Sequence, residues 1–135
     1  MKKIFLFFLL LFSFVTPAFS STKINVIKVY DGDTILAQIE DNIFRIRLIN
    51  IDCFEGTKSD RAKWQARKYK ISLDELIEGG NIAGDILAQK LKNKNVTFKF
   101  MGIDKYNRAL GIIYIDERNI NDEMLKTNYC KPYKR

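Results

Sequence analysis

An α+β domain, mostly β, is the fold class the sequence predicts, and three observations carry it. Short β-branched runs punctuated by turn residues come first, a capped helical stretch fills the middle, and two more β-rich runs precede a short helix with acidic residues at its start. No repeat, linker or low-complexity stretch divides the chain, so one core is expected. The part beyond residue 20 is long enough to bury roughly 65% of its unfolded surface without a metal or disulfide framework.

The first 20 residues stand apart. Lys2-Lys3, an apolar run from Ile4 to Val15, and then Thr16-Pro17-Ala18-Phe19-Ser20 have the three-part layout of a secretory signal. The run is interrupted by Ser13 and ends at Pro17, whereas a membrane span needs about 20 apolar residues. Cleavage after Ser20 is expected, leaving a domain from Ser21 to Arg135 that is secreted or periplasmic. An uncleaved segment tethering the domain to a membrane is the alternative. No cysteine lies near the cut, which disfavours a lipid anchor.

Within the domain, Ile24–Tyr30 and Thr34–Ile39 flank Asp31-Gly32-Asp33 and read as a hairpin, with glycine free to take a positive φ in the turn. Glu40-Asp41-Asn42 is a second turn signal before a third strand, Ile43–Ile51. Strict alternation puts Arg47 and Asp52 on opposite faces, so a site using both needs the strand to end, bend or bulge between them. The stretch from Gly56 to Lys70 is strongly basic around Trp64 and reads as a short helix or a loop. Trp64 is either an aromatic platform for nucleic acid or an anchor beneath a solvated basic face, and the second reading is preferred. Ser72-Leu73-Asp74-Glu75 is a capping box. The helix it opens carries Ile82, Ile86, Leu87 and Leu91 as a core stripe, with a kink or break expected at Gly79-Gly80. Val96–Ile103 and Ala109–Ile115 form a last hairpin with Asp104–Arg108 at its tip. Asn121 is the expected N-cap of a helix that ends near Asn128, with Met124 and Leu125 inward. Five strands with these helices predict a small barrel of the oligonucleotide-binding type.

Composition narrows the chemistry. Without its signal the domain has 21 basic and 16 acidic residues, a net +5 that suits nucleic acid or an anionic membrane surface. With no histidine in the chain, histidine zinc sites, histidine triads and histidine general bases are excluded. Cys53 and Cys130 are either a disulfide in an oxidising compartment or two unrelated small residues. Three segments hold what metal-assisted phosphodiester cleavage requires. Among Asp31, Asp33, Asp52, Glu55 and Asp104, carboxylates can hold a hard cation and a further one can activate water, and the guanidinium groups of Arg47 and Arg108 can grip phosphate through paired N–H donors. Singly each has a bland reading as a turn former, loop charge or ion-pair partner. Arg47, however, sits in an apolar strand, where an unpaired charge is costly and an anion is wanted.

Val29-Tyr30-Asp31-Gly32-Asp33-Thr34, Arg47-Leu48-Ile49-Asn50-Ile51-Asp52 continuing to Glu55, and Asp104-Lys105-Tyr106-Asn107-Arg108 together resemble the thermonuclease, or staphylococcal-nuclease-like, family. The resemblance runs from about Val26 to Tyr133. It implies an exported nuclease using Ca²⁺, cutting single-stranded or frayed DNA and RNA with little base preference and leaving 3′-phosphate ends. It further implies metal ligation by Asp33, Asp52 and the Cys53 backbone carbonyl. Glu55 would act on the attacking water, Arg47 and Arg108 would bind phosphate, and Tyr106 with Lys105 would lie along the substrate. The sequence departs from the pattern at Cys53 for threonine, at Phe54 for a proline, whose loss predicts a looser loop at Glu55, and at Asn107 for a glycine. It also carries a longer basic insert after Glu55. Nucleic acid is the expected partner, with no protein partner implied and a monomer expected. The competing readings are a catalytically silent barrel that only binds nucleic acid, and a basic envelope-associated structural protein.

Overall fold

The computed structural model describes residues 20–134; the expected signal, apart from Ser20, lies outside the described residues. Among the described residues no helix is long and apolar enough to cross a membrane. The chain runs β1 (Thr22–Asp31), β2 (Thr34–Ile39), β3 (Asn42–Leu48), β4 (Ile51–Cys53), α1 (Asp60–Tyr69), α2 (Leu73–Leu91), β5 (Val96–Ile103), β6 (Ala109–Ile115), β7 (Arg118–Asn119), α3 (Ile120–Leu125) and β8 (Cys130–Pro132). Strands β3-β2-β1-β5-β6 lie side by side, and parallel pairing of β3 with β6 closes them into a five-stranded barrel. Two short pieces were not anticipated: β7, which hangs on β6, and a separate two-stranded ribbon of β4 with β8.

Ile35, Ala37, Ile46, Leu48 and Ile113 alternate inward around the barrel and lose all exposure. Helix α2 closes one end, contributing Ala83, Leu87 and Leu91 to that core. A smaller cluster of Phe54, Ala62, Ala66 and Leu76 joins α1 to α2. The third strand does end between Arg47 and Asp52. It stops at Leu48, Asn50 takes a left-handed conformation at φ 66°, and β4 begins at Ile51, so the alternation is reset and Ile51 joins the core rather than the Arg47 face.

Three local expectations are corrected by packing. Helix α2 runs unbroken through Gly79 and Gly80, behind the capping box of Ser72 and Glu75. These glycines serve close approach, since a Cβ at Gly80 would collide with the Glu55 carbonyl and one at Gly79 would press on Phe54 and Tyr129 at 2.9 Å. Gly32 has no positive φ; a Cβ there would lie 2.8 Å from the Ala83 Cβ and 2.9 Å from the Cys53 side chain. The N-cap of α3 is Asn119, whose side chain accepts from the Asp122 N–H, and the helix ends at Leu125. Asn121 is instead buried, accepting from the Ile113 N–H and donating to the Ile49 and Gly111 carbonyls. It thereby pins the β3–β4 turn to β6.

Candidate active site

One open cleft of about 990 Å³ gathers the three segments singled out in the sequence. Asp33, Arg47, Asp52, Glu55, Lys105, Tyr106 and Arg108 all line it, joined by Asp31, Thr34, Arg45, Arg61, Asp104 and Tyr133. The barrel makes this possible because β2, β3 and β6 are neighbours. Thr34 pairs with Arg47 across β2–β3, and Arg47 pairs with Leu110 across β3–β6.

The acidic side of the cleft is buried and densely hydrogen-bonded. The Asp31 carboxylate accepts from the Asp33 N–H at 3.0 Å, which shapes the turn. Asp33, 6% exposed, accepts at Oδ2 from the Cys53 N–H at 2.7 Å and at Oδ1 from the Thr34 hydroxyl. The Arg47 Nη2 lies 3.4 Å from both Asp33 and Asp52, while its Nη1 donates to the Leu48 and Ile51 carbonyls. Arg47 thus finds its anions in the two carboxylates and spends its other arm holding the β3–β4 turn. Burial pushes the Asp33 carboxyl well above the usual carboxylate range, with the Asp31 charge adding to the rise and Arg47 opposing it. Glu55 is also raised, first by burial and then by the charges of Asp31 and Asp52, with Arg61 and Arg47 opposing. A carboxylate shifted upward is better matched to taking a proton near neutral pH.

Two residues of this half were missed in the sequence. Arg61, in the first turn of α1, reaches Asp52 at 2.6 Å and Glu55 at 3.3 Å, so one guanidinium spans both acids. Gln65, one turn on and fully buried, accepts from the Glu55 N–H at 2.9 Å and donates to the Cys53 carbonyl at 3.0 Å and to Asp52 at 3.3 Å. The signal was present: positions 61 and 65 share a helix face, and a glutamine among charged residues can satisfy a donor and an acceptor at once. The basic insert is therefore a helix, and one side of it is part of the site.

The loop carrying Glu55 is held firmly, against the looseness expected from Phe54 in place of proline. Phe54 is buried against Tyr69 and Tyr129, its N–H donates to the Tyr129 carbonyl, and the Glu55 backbone rests on Gly80. Cys53 and Cys130 form a disulfide across β4 and β8, immediately beside Asp52 and beneath Gly32.

The opposite wall is the β5–β6 hairpin tip, organised around Asp104. Its carboxylate accepts from the Tyr106 and Arg108 N–H groups at 3.0 Å and from the Arg108 Nε at 2.8 Å. Partial burial raises the Asp104 pKa, but these hydrogen bonds and the Arg108 charge outweigh it and hold the group below the usual range. Asn107 adopts φ 59°, the left-handed conformation a glycine would take there. The Arg108 guanidinium lies 5.4 Å and the Lys105 ammonium 5.2 Å from the centre of the exposed Tyr106 ring. Arg108 shares the cleft with the acids but bonds within its own hairpin.

Comparison with known proteins places the chain in a family. The profile of the family described as Staphylococcal nuclease homologue matches residues 45–135. The chain belongs to that family. An uncharacterized endonuclease of Haemophilus influenzae is 31% identical across 99% of this chain and 66% of its own length. An uncharacterized protein of Methanocaldococcus jannaschii is 31% identical across 80% of the chain and 58% of its own length. An uncharacterized endonuclease of Escherichia coli O157:H7 is 30% identical across 82% and 60%. The chain thus spans about two thirds or less of these relatives.

Staphylococcal nuclease homologues as a family imply a calcium site, and the donor set can be tested against it. All candidate ligands are hard oxygens, the class that suits Ca²⁺ or Mg²⁺ over softer metals. No group of three or more acidic or cysteine side chains stands close enough to cage an ion by itself among the described residues. Asp33 and Asp52 nevertheless converge on one guanidinium nitrogen, and the Asp33 carboxyl, raised chiefly by burial, is a group whose ionised form a cation would favour. The Cys53 carbonyl already accepts from Gln65, which leaves its second lone pair. The residues fit a cation that takes few protein oxygens and completes its shell with water and phosphate.

Proposed function

We propose that this chain is an exported, Ca²⁺-dependent phosphodiesterase that hydrolyses single-stranded or frayed DNA and RNA with little base preference. The observation that carries the reading is the convergence of Asp33, Asp52 and Glu55, with Arg47 between them, in a cleft whose far wall is Arg108 and Tyr106. In this reading Asp33, Asp52 and the Cys53 carbonyl hold the cation, which would supply charge neutralisation at the phosphoryl oxygens. Glu55 takes the proton of the attacking water. Arg108 and Arg47 bind the phosphate and stabilise the charge that grows on it, a role for which planar guanidinium suits better than ammonium. Tyr106 packs against a base or sugar and Lys105 meets a neighbouring phosphate. Contacts to backbone and ring faces read no sequence, which supports low base preference. Attack that breaks the bond to the 5′ oxygen leaves 3′-phosphate ends. The apolar N-terminal run supports export, either freed by cleavage near Ser20 or tethered, and a single domain supports action as a monomer.

The test is hydrolysis of end-labelled single-stranded DNA by residues 21–135, first in calcium and then with chelator. Cleavage in calcium that stops with chelator is expected. A folded preparation that binds DNA and cuts nothing would make this a silent nucleic-acid-binding barrel.

A further inference from the structure

The cleft does not account for the exposed side of α1. Arg61, Trp64 and Lys68 fall at i, i+3 and i+7, so they form one stripe along the helix. Arg61 is its cleft end, bonded to Asp52 and Glu55. Trp64, the chain's single tryptophan, is 42% exposed, although its aromatic area would contribute to either neighbouring core if turned inward. Two cations lie near its ring, the Arg61 guanidinium 5.4 Å and the Lys68 ammonium 4.8 Å from the ring centre. Beyond it, Lys68 also lies 5.4 Å from the Tyr69 ring, and Lys131 lies 5.8 Å from the same ring. No carboxylate among the described residues forms an ion pair with Arg67, Lys68 or Lys131. From Arg61 to Lys68 the stripe extends about 10 Å along the helix axis. Aromatic rings beside cations that no carboxylate pairs with, running on from the cleft at Arg61, are the pattern of a single-strand track.

We propose that α1 forms a second, metal-independent binding track for single-stranded nucleic acid. A base stacks on Trp64, and Lys68 with Arg67 meets the adjoining phosphates. The inference rests on the nuclease reading for its direction, because the track leads the strand into the cleft at Arg61. It differs from that reading in needing no calcium. Its consequence is a grip that lengthens with the substrate, since only a strand longer than the cleft reaches Trp64.

The test uses the intrinsic emission of Trp64, which no other tryptophan obscures. Unlabelled twelve-residue oligothymidylate is titrated into the protein in chelator, and the anisotropy of a labelled copy is followed in parallel. Quenching that saturates together with anisotropy is expected. Trp64→Ala is expected to weaken affinity about tenfold, with Trp64→Phe restoring most of it, and Arg67→Glu with Lys68→Glu to weaken it further and flatten its salt dependence. Circular dichroism of each variant excludes unfolding as the cause. Binding without quenching, or affinity unchanged in Trp64→Ala, overturns the track while leaving the cleft intact. Absence of binding in chelator, with calcium-dependent cleavage retained, likewise overturns the track alone. Absence of both binding and cleavage removes the nuclease reading as well.

Discussion

The two walls of the cleft are built on opposite principles. On the acidic wall, Asp33, Asp52 and Glu55 come from two different segments and are held by long-range contacts: the Cys53 N–H on Asp33, the Gln65 amide on Asp52 and the Glu55 backbone, and the Cys53–Cys130 disulfide. On the hairpin wall, Tyr106 and Arg108 are held by one carboxylate four or fewer residues away. The difference teaches where precision is required. Groups that in the proposed reaction share a cation and a water are over-determined by the fold, because misplacement by about 1 Å can cost a hundredfold in rate. Groups that grip a flexible strand sit on an exposed tip that folds around itself.

The largest effect should separate chemistry from stability. Glu55→Gln and Arg108→Ala are each expected to slow cleavage on the order of 10³-fold in single-turnover assays. They should differ in melting. Ionised Glu55 is disfavoured by the fold, so the amide should keep or raise the melting temperature at pH 7. Arg108→Ala strips the partner from Asp104 and should lower it. Equal rates in either variant would break the assignment.

Next comes the backing of the acidic wall. Gly80→Ala places a methyl against the Glu55 carbonyl and should lower the rate about a hundredfold while substrate affinity at the hairpin wall is kept. An unchanged rate would show that the Glu55 loop has room to spare. Reducing the disulfide opens a link across a sequence separation of 77 residues and should cost about 4 kcal/mol in denaturant unfolding. Because Cys53 adjoins Asp52, cleavage should also fall, by about tenfold, under conditions where the protein remains folded.

The smallest effect is a divergence of the two walls in acid. Asp33 and Glu55 have raised pKa values, so the metal-free folded state binds more protons than the unfolded chain and gains stability as pH falls through those values. Asp104 has a lowered one, so its contribution is complete above its ordinary value of about 3.9 and is lost as pH falls through the depressed one. Melting curves of metal-free protein should therefore rise between neutral pH and about pH 4 before falling, and resonances of residues 104–108 should broaden only in the falling range.

Much of the barrel was legible because β2, β5 and β6 are bounded by turn residues and rich in β-branched side chains; their ends match the expected ones. The requirement that a strand end between Arg47 and Asp52 followed from alternation alone. What escaped was set by distant partners. β4 and β8 are three residues each, too short for periodicity, and exist because two segments distant in sequence pair beside the Cys53–Cys130 disulfide. Gly79-Gly80 read as a break because local propensity cannot see the Glu55 backbone lying on the helix. Asn119 and Asn121 are two residues apart and equally good caps, and only the buried carbonyls of Ile49 and Gly111 decide between them. Of the site, the acids and arginines were visible as motifs, whereas Arg61 and Gln65 lay hidden in a basic stretch whose helical face was undefined.

The central claim is that the buried acids of the first wall are a cation site, and thermal unfolding with and without calcium addresses it most directly. Calcium binding only the folded state should raise the melting temperature of the wild-type chain, by compensating the buried Asp33 carboxylate, and should leave Asp33→Asn unmoved. A folded wild-type chain whose melting temperature is the same in saturating calcium and in chelator would contradict it.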